Sequence, residues 1–403
     1  MKRLLLLVPT TSYRVGDFLT AAQRLGVDVA VGSDQPQVLE SHGRTVTVDF
    51  LDLEKGVQQI VAYAGRYPLL AIVPTDEETT LLAALASREL GLAHNTPESV
   101  EAAGNKFRFR TVLANSGLTV PRFSLYSTGD DPERLADEAG YPGVLKPLAM
   151  SASRGVIRVD DRGEFIGAFR RIKGILERHG GPRDSHILAE DYVPGREVAL
   201  EGLLTGGRLH VLALFDKPDP LEGPFFEVTI YVTPSRLSQS EQDAVADTAA
   251  TAVAALGLTS GPIHGEFRLN GRGVWVIDLA ARSIGGLCAR ALRFGAGMRL
   301  EEIILRHALG MPGTIKEREA EAAGVMMIPI PGAGTLRRAD GLISARSVTG
   351  VEDVTITIPR GQAVVPLPEG SRYLGFIFAR GDTPGAVEAA LREAHGRLRF
   401  TID

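Results

Sequence analysis

The first hundred residues alternate short apolar runs with segments of helical periodicity, and this alternation most restricts the fold. The apolar runs Arg3–Val8 and Leu69–Val73 are typical, and the helical stretch Asp17–Leu25 follows the first of them. Near-continuous apolar strands separated by helices indicate a parallel sheet covered on both faces. We therefore predict a doubly wound α/β domain over residues 1–95. Its ligands should lie beyond the carboxyl ends of the strands, for example at Pro74–Glu77.

Length and charge restrict the class of protein. At roughly 150 residues per domain, 403 residues predict two to three domains. The net charge of −5 argues against nucleic acid as a partner. The single cysteine, Cys288, cannot form an intramolecular disulfide, which favours a reducing compartment. No apolar run reaches the ~18 residues that a membrane span needs. A cytoplasmic protein that does not bind membranes is the expectation.

Two further regions are predicted after the first domain. Residues 96–185 read as a small central α+β module, and residues 186–403 as a β-rich domain with an antiparallel sheet. Within the latter, the alanine-rich stretch Gln239–Leu256 predicts a helix, and from about residue 324 short strands and turns form a terminal subregion.

A predicted hairpin brings two carboxylates together. If Gly271-Arg272-Gly273 is a three-residue loop, Glu266 lies opposite Asp278. Alternation then places on one face His264, Glu266, Arg268, Val276, Asp278, Ala280 and Arg282. Opposed like charges are destabilising unless compensated. A divalent cation such as Mg²⁺ would compensate them, and so would a salt-bridge ladder with Arg268 and Arg282. The hairpin alone leaves both alternatives open.

Two lysines precede a loop suited to phosphate. Lys106 and Lys146 are the only lysines between residues 56 and 172, and Lys146 ends the apolar run Gly143–Pro147. The serine- and glycine-containing loop Ser151–Gly155 follows. A strand-end lysine and backbone donors suit a phosphate cradle, although surface lysines and a plain turn would give the same pattern.

Taken in order, these elements resemble the ATP-grasp superfamily over nearly the whole chain. The resemblance implies ATP, with Mg²⁺ or alternatively Mn²⁺, and an ATP-grasp fold. It implies metal ligands and a catalytic role for Glu266 and Asp278, and a grip on the transferred phosphate for Arg282. The nucleotide ligands that it implies are Lys106, Lys146, Ser151, Ser153, Gly155, Glu190, Tyr192, Val193 and Glu197.

One branch of the superfamily is more similar than the others. The chain has Asp278-Leu279-Ala280-Ala281-Arg282 in place of the widespread Glu-x-Asn-x-Arg, and Gly285-Gly286 follows. This run and His264-Gly265-Glu266 resemble the bacterial L-amino-acid ligases and related carboxylate–amine ligases, as do Gly324–Pro329 and Pro366–Pro368. The resemblance implies small-molecule substrates, an acyl-phosphate intermediate, release of ADP and phosphate, and a homodimer as the default assembly.

Further residues are predicted to contact substrate. By resemblance these include Glu227, Gly285 and Gly286. His264 is a candidate general base, with a structural histidine or a substrate contact as the alternatives. Arg290 and Arg293 are three apart on a predicted helix and would bind a carboxylate, unless they form a solvated helix face. Cys288 is interpreted as packing.

Other functions compete with the ligase prediction. Within the superfamily, a glycinamide ribonucleotide synthetase-like or biotin carboxylase-like enzyme is the alternative, which the Ala-Ala-Arg run disfavours. Outside catalysis, the missing asparagine would suit a nucleotide-binding protein without activity.

Overall fold

The computed structural model describes residues 3–35, 43–179, 185–313 and 315–403. The N-terminal domain is a parallel sheet in the order β3-β2-β1-β4. Its elements are β1 Arg3–Leu7, α1 Val15–Leu25, β2 Val29–Ser33, β3 Thr45–Thr47, α2 Leu53–Arg66, β4 Leu69–Pro74 and α3 Glu77–Glu89. Leu4 and Leu6 pack on the α1 side, and Leu5 and Leu7 on the side of α2 and α3. Both faces are covered, which confirms the doubly wound prediction.

The central module is an antiparallel sheet in the order β5-β8-β6-β7. Its elements, with the two helices before them, are α4 Pro97–Gly104, α5 Lys106–Asn115, β5 Phe123–Ser127, α6 Pro132–Glu138, β6 Gly143–Pro147, β7 Ile157–Val159, α7 Arg162–His179 and β8 His186–Asp191. β8 was predicted to open the third domain at residue 186. It pairs instead with β5 and β6, so the module extends to Asp191.

The third domain contains the main antiparallel sheet, in the order β13-β12-β9-β10-β11-β14-β18-β16. Its elements are β9 Arg196–Thr205, β10 Arg208–Asp216, β11 Ile230–Thr233, α8 Gln239–Leu256, β12 Gly261–Asn270, β13 Gly273–Ala280, a 3₁₀ turn Cys288–Ala291, α9 Leu300–Ala308, β14 Ala322–Ile328, β15 Gly334–Asp340, α10 Leu342–Arg346, β16 Val351–Ile356, β17 Ala363–Val364, β18 Gly375–Gly381, α11 Pro384–Gly396 and β19 Arg399–Ile402. β14, β16 and β18 extend this sheet, so the subregion predicted from about residue 324 shares it.

Local capping interactions explain where the helices α5 and α8 begin. Asn105 caps α5, because its side-chain oxygen accepts from the backbone N–H groups of Phe107 and Arg108 at 3.1 Å each. Ser238 and Glu241 form a capping box at the start of α8, which ends where Gly257 adopts φ 75°. Phe109 of α5 belongs to the core that α8 forms with the main sheet. The helix that carries Lys106 is thereby packed on the third domain. Among the described residues, no helix is both long and apolar enough to cross a membrane.

Candidate active site

Glu266 of β12 and Asp278 of β13 are cross-strand partners, as predicted. The reason differs from the prediction. The turn has two residues, because Asn270 pairs with Gly273, and a bulge between Glu266 and Phe267 then shifts the register by one. The shorter turn and the bulge shift the strand pairing by one residue in opposite directions. Glu266 therefore still lies opposite Asp278. Val276, predicted on the same face as Glu266, pairs with Phe267 and lies in the core on the other face.

Lys217, at the end of β10, neutralises Glu266. Its ammonium lies 2.6 Å from Oε1 of Glu266 and 2.7 Å from Oε1 of Glu197, and its side chain is 1% exposed. Burial lowers the pKa of Lys217, but the two carboxylates outweigh it and raise that pKa well above its usual range. Arg268 binds Glu197 at 2.7 Å. The salt-bridge ladder proposed for Arg268 and Arg282 is therefore not the arrangement that the hairpin adopts.

Asp278 lies among cations. Burial raises the pKa of its carboxyl, but Lys106, Lys146, Arg110 and Arg282 outweigh burial and lower that pKa below its usual range. Asp278 is therefore ionised in the folded protein. Within the described residues no group of three or more His, Cys, Asp or Glu side chains has metal-binding geometry. The metal role predicted for Glu266 and Asp278 stays a prediction.

Lys146 is held by a buried ion-pair triad. Its ammonium lies 2.5 Å from Oε2 of Glu190, and Nε of Arg110 lies 2.5 Å from Oε1 of the same carboxylate. Burial raises the pKa of Glu190, but Arg110 and Lys146 outweigh it and lower the pKa to about 2. The Glu190 side chain is 4% exposed. Its carboxylate thus orients Lys146, and the nucleotide contact predicted for Glu190 stays a prediction.

The predicted phosphate loop lies beside Lys106. The ammonium of Lys106 donates to the carbonyl of Met150 at 2.7 Å, directly before Ser151. Ser153 has φ 55° and Gly155 has φ 69°, both in the left-handed region. The N–H of Gly155 donates to the carbonyl of Pro368 at 2.9 Å. The loop is thereby docked on the C-terminal part of the third domain.

In the segment predicted to contact the base and ribose, Tyr192, Val193 and Glu197 all have partners within the protein. The ring of Tyr192 stacks on Phe226, with 6.4 Å between centroids. The carbonyl of Val193 accepts from Nη1 of Arg268 at 2.6 Å. Both carboxylate oxygens of Glu197 are bound, one by Lys217 and one by Arg268.

Arg282 faces the N-terminal domain. Its Nε lies 3.1 Å from Oε2 of Glu77, in the first turn of α3. Burial raises the pKa of Glu77, and Arg282 opposes this shift. Glu77 ends the loop Pro74–Glu77, which was predicted to border ligands because it follows the carboxyl end of a strand. Arg282 therefore meets this loop, and Asp278 of the hairpin interacts electrostatically with Glu77.

The residues that were predicted to contact substrate do not share one environment in the structure. Burial raises the pKa of Glu227. Gly285 and Gly286 follow the Arg282 segment, and a Cβ on Gly286 would lie 2.9 Å from the ring of Phe376. Nδ1 of His264 lies 3.2 Å from Glu201. Arg290 pairs with Asp17 at 2.8 Å.

Arg293 corrects one of the sequence predictions, and Cys288 agrees with another. Arg293 lies beyond the 3₁₀ turn Cys288–Ala291 and pairs with Glu352 at 2.7 Å, so the helix predicted to carry Arg290 and Arg293 together is wrong. The thiol of Cys288 is buried, and burial raises its pKa to about 12. A thiol that remains protonated is a poor nucleophile, in agreement with its interpretation as packing.

Sequence reasoning missed Lys217, Arg110 and Glu201. A signal existed for Lys217, because Asp216-Lys217-Pro218 ends an apolar strand as Leu145-Lys146-Pro147 does. The sequence contains no such signal for Arg110 or Glu201, since their partners Glu190 and His264 are distant in sequence.

Family models match two parts of the chain. Residues 139–291 match the ATP-grasp domain, and residues 326–403 match the L-amino acid ligase C-terminal domain 2. These regions contain the hairpin carboxylates, the phosphate loop and the segment on which that loop is docked. Residues 139–291 therefore form an ATP-grasp domain by their match to that family model.

Individual relatives point to one branch of it. The crystal structure of L-amino acid ligase from Bacillus licheniformis superimposes with a TM-score of 0.87 at 28% identity, covering 100% of this chain and 99% of that one. Alanine–anticapsin ligase of Bacillus subtilis is 24% identical over 62% of this chain, which spans only 56% of that relative. Phosphoribosylglycinamide synthetase from Anaerococcus prevotii shares the fold, with a TM-score of 0.70 at 13% identity over the full length of both chains. The prediction of an ATP-grasp carbon–nitrogen ligase of the L-amino-acid-ligase type is thereby confirmed at the level of the family.

Proposed function

We propose that this protein is an ATP-dependent carboxylate–amine ligase that acts on L-amino acids or related small carboxylates. The observation that carries the proposal is the Glu266–Asp278 pair, which lies among Lys106, Lys146 and Lys217. Two acidic oxygen ligands surrounded by cations suit a metal-bound triphosphate. The likeness to the Bacillus licheniformis ligase over the full chain supports the substrate class.

The carboxylate pair fits Mg²⁺, with Mn²⁺ as an alternative. Mg²⁺ is commonly bound by one or two carboxylates together with nucleotide phosphates, and Asp278 is ionised. Mg²⁺ would supply neutralisation of charge on the phosphate oxygens. Glu266 and Asp278 would hold it, and Lys217 would keep the remaining negative charge of Glu266 balanced.

The chain's own side chains would carry the phosphoryl transfer. The carboxylate of one substrate attacks the γ-phosphorus of ATP, and ADP leaves with the bridging oxygen. An amine then attacks the acyl phosphate, and phosphate leaves as the amide forms. Lys106 and Lys146 would hold phosphates, while the planar fork of Arg282 suits the transferred phosphoryl group. The loop Ser151–Gly155 would exclude water from the acyl phosphate.

The same proposal assigns roles to the residues around the phosphate site. Tyr192, Val193 and Glu197 would border the nucleoside, and Glu227, Gly285, Gly286 and Arg290 would border the substrates. A cytoplasmic location agrees with the unpaired cysteine. A homodimer stays a prediction, which light scattering of the purified protein tests.

The test is phosphate and ADP release across pairs of the twenty amino acids, with mass spectrometry of each positive pair. We expect stoichiometric phosphate, ADP and an amide product. Asp278→Ala should lower turnover by about 10²-fold or more, whereas Asp247→Ala, at an exposed position of α8, should not. ADP formed only with bicarbonate or phosphoribosylamine would contradict the amino-acid substrates. No ADP with any acceptor would indicate a nucleotide-binding protein without activity.

A further inference from the structure

Arg14 is a buried arginine without an ion pair. It lies between β1 and α1, beyond the carboxyl end of the parallel sheet, and is 2% exposed. Within the part of the chain that the structure describes, no carboxylate pairs with it. A buried charge is costly unless it is paired, so its presence calls for a physical reason. Three other arginines of the described chain are buried, and each pairs with a carboxylate: Arg110 with Glu190, Arg268 with Glu197 and Arg380 with Glu352.

The two terminal nitrogens of Arg14 join two separate segments. Nη1 donates to the backbone carbonyl of Thr75, and Nη2 donates to the hydroxyl of Ser283, both at 2.5 Å. Thr75 follows β4 and is fixed to the end of β1, because its N–H donates to the carbonyl of Leu7 at 3.1 Å. Ser283 belongs to the chain that follows β13. A planar guanidinium can satisfy two such acceptors at once, in a fixed geometry.

Ser283 in turn holds the guanidinium of Arg282. Nη1 of Arg282 donates to the backbone carbonyl of Ser283 at 2.9 Å, while Nε of Arg282 lies 3.1 Å from Oε2 of Glu77. The two arginines therefore connect the same pair of segments, residues 75–77 and residues 282–283. The side chain proposed to grip the transferred phosphate rests on a residue whose hydroxyl is bound by Arg14.

The other surroundings of Arg14 supply no further directional contact. Glu201 and Glu301 interact with it electrostatically, without forming an ion pair in the described chain. The guanidinium lies over the ring of Phe18, 5.2 Å from its centroid. Its Nε has no hydrogen-bond partner among the described residues. The contacts with Thr75 and Ser283 are thus the hydrogen bonds that the side chain makes, and both join the N-terminal domain to the segment of Arg282.

Building on the proposed function, we propose that Arg14 is a positioning residue that sets the guanidinium of Arg282 against the transferred phosphoryl group. Arg14 itself would touch no substrate, because it is buried and both of its terminal nitrogens are bound. Cations stabilise phosphoryl transfer only from well-defined positions, so a displaced Arg282 should lower turnover. Binding of ATP should change less, because Lys106 and Lys146, which would hold its phosphates, have other partners.

The first test observes Arg282 by NMR without any substrate. ¹H–¹⁵N spectra of arginine-labelled protein report each Nε–H, and the signal of Arg282 is assigned by its loss in Arg282→Lys. In Arg14→Met, with folding checked by circular dichroism, the Nε–H of Arg282 should exchange with water at least about threefold faster, because its segment is less firmly held. An unchanged exchange rate in folded Arg14→Met would overturn the proposal.

Arg3→Met is the matched control. Arg3 lies at the other end of β1, its side chain is 12% exposed, and it pairs with Asp28 at 2.9 Å. Its loss removes a largely buried arginine from the same domain, far along the strand from Arg282, and should leave the exchange rate of Arg282 unchanged. Equal acceleration in Arg3→Met and Arg14→Met would show a general loosening of the domain and would overturn the proposal.

Ser283→Ala provides the same test if Arg14→Met does not fold. The change removes the hydroxyl that accepts from Arg14 and keeps the backbone carbonyl that accepts from Arg282. We expect the Nε–H of Arg282 to exchange about twofold faster in this variant. An exchange rate equal to that of the unmutated protein would count against the proposal as decisively as the same result in Arg14→Met.

The second test is a double-mutant cycle on amide formation. Arg14→Met should lower kcat about tenfold while the KM for ATP changes less than about twofold. In an Arg282→Lys background, which lacks the planar fork, the same change should cost less than about twofold. Equal losses in both backgrounds would show that Arg14 does not act through Arg282. Absence of ligase activity would contradict the proposed function, whereas the NMR result, which needs no substrate, decides the role of Arg14 separately.

Discussion

The ammonium of Lys217 lies 2.6 Å from a carboxylate oxygen of Glu266, although β9 separates their strands in the sheet. Lys217 reaches across this strand and also contacts Glu197, which β9 carries. The contact explains how a hairpin tolerates Glu266 opposite Asp278 before any ligand is bound. It also places a permanent cation at the candidate metal site.

Replacement of Lys217 by methionine should destabilise the protein. The change leaves Glu197 and Glu266 without their buried cation, and removing one partner of a buried ion pair typically costs about 3–5 kcal/mol. The free energy of unfolding in urea, measured without divalent cations, should fall by about this amount. Added Mg²⁺ should restore part of the loss, because it binds the carboxylates of the folded protein.

Lys55→Met is the matched control for this substitution. Lys55 is 58% exposed and pairs with Asp49 at 3.0 Å. An exposed pair of this kind contributes about 0–1 kcal/mol. Equal losses for the two lysine variants would contradict the role assigned to Lys217.

Glu190 should make stability depend on pH in acid. Its pKa is about 2 in the folded protein, against an ordinary value of 4.5. The stabilisation is therefore complete above pH 4.5 and is lost as the pH falls towards 2. Glu190→Gln should lower the free energy of unfolding at pH 7, and the difference from the unmutated protein should be about 2 kcal/mol smaller at pH 3. Urea titrations at both pH values measure it.

The control for the pH experiment is Glu138→Gln. Glu138 forms an exposed ion pair with Arg134, and we expect a difference near zero at both pH values. A difference for Glu190→Gln that does not change with pH would show that Arg110 and Lys146 do not hold this carboxylate ionised.

The sequence predicted the fold and the hairpin pairing, but not the details that produce the pairing. Strand and helix periodicity located the N-terminal domain, and α8 has the bounds Gln239–Leu256 that were predicted. The Glu266–Asp278 pairing was predicted from a loop that is one residue too long. A bulge beside Glu266 compensates for the shorter turn. The position of a bulge depends on backbone packing across several strands, which residue types alone do not encode.

The buried partners were unpredictable for a different reason. Arg110 meets Glu190, and Glu201 meets His264, only after separate strands and helices pack together. Sequence spacing carries information within one helix or one hairpin, where geometry is fixed by the local fold. It carries none for a contact between α5 and β8. The module boundary after Asp191 was missed for the same reason, because strand pairing decides it.

Gly155 should be intolerant of a side chain. Its φ of 69° is unfavourable for an L-residue, and a Cβ would lie 2.6 Å from Cγ of Pro147. Gly155→Ala should lower the free energy of unfolding by about 1–3 kcal/mol and raise the KM for ATP, because the loop Ser151–Gly155 would be displaced. Gly167→Ala, on α7 with open space around it, should be neutral or stabilising. Thermal unfolding and ATP titration measure both variants, and equal behaviour would contradict the prediction.

Arg171 and Glu369 should control how well the phosphate loop excludes water. Their bidentate ion pair has distances of 2.6 and 2.9 Å, and it holds the segment whose Pro368 carbonyl accepts from Gly155. Glu369→Ala should change the free energy of unfolding by less than about 1 kcal/mol, since the pair is partly exposed. It should nevertheless raise the ratio of phosphate released to amide formed, because a loosened loop admits water to the acyl phosphate. Glu133→Ala removes an ion pair with the neighbouring arginine of α7 without touching the loop, and should leave the ratio unchanged. A coupled phosphate assay and mass spectrometry measure the ratio of phosphate released to amide formed. A ratio of one in both Glu369→Ala and Glu133→Ala would contradict the role of the loop in excluding water.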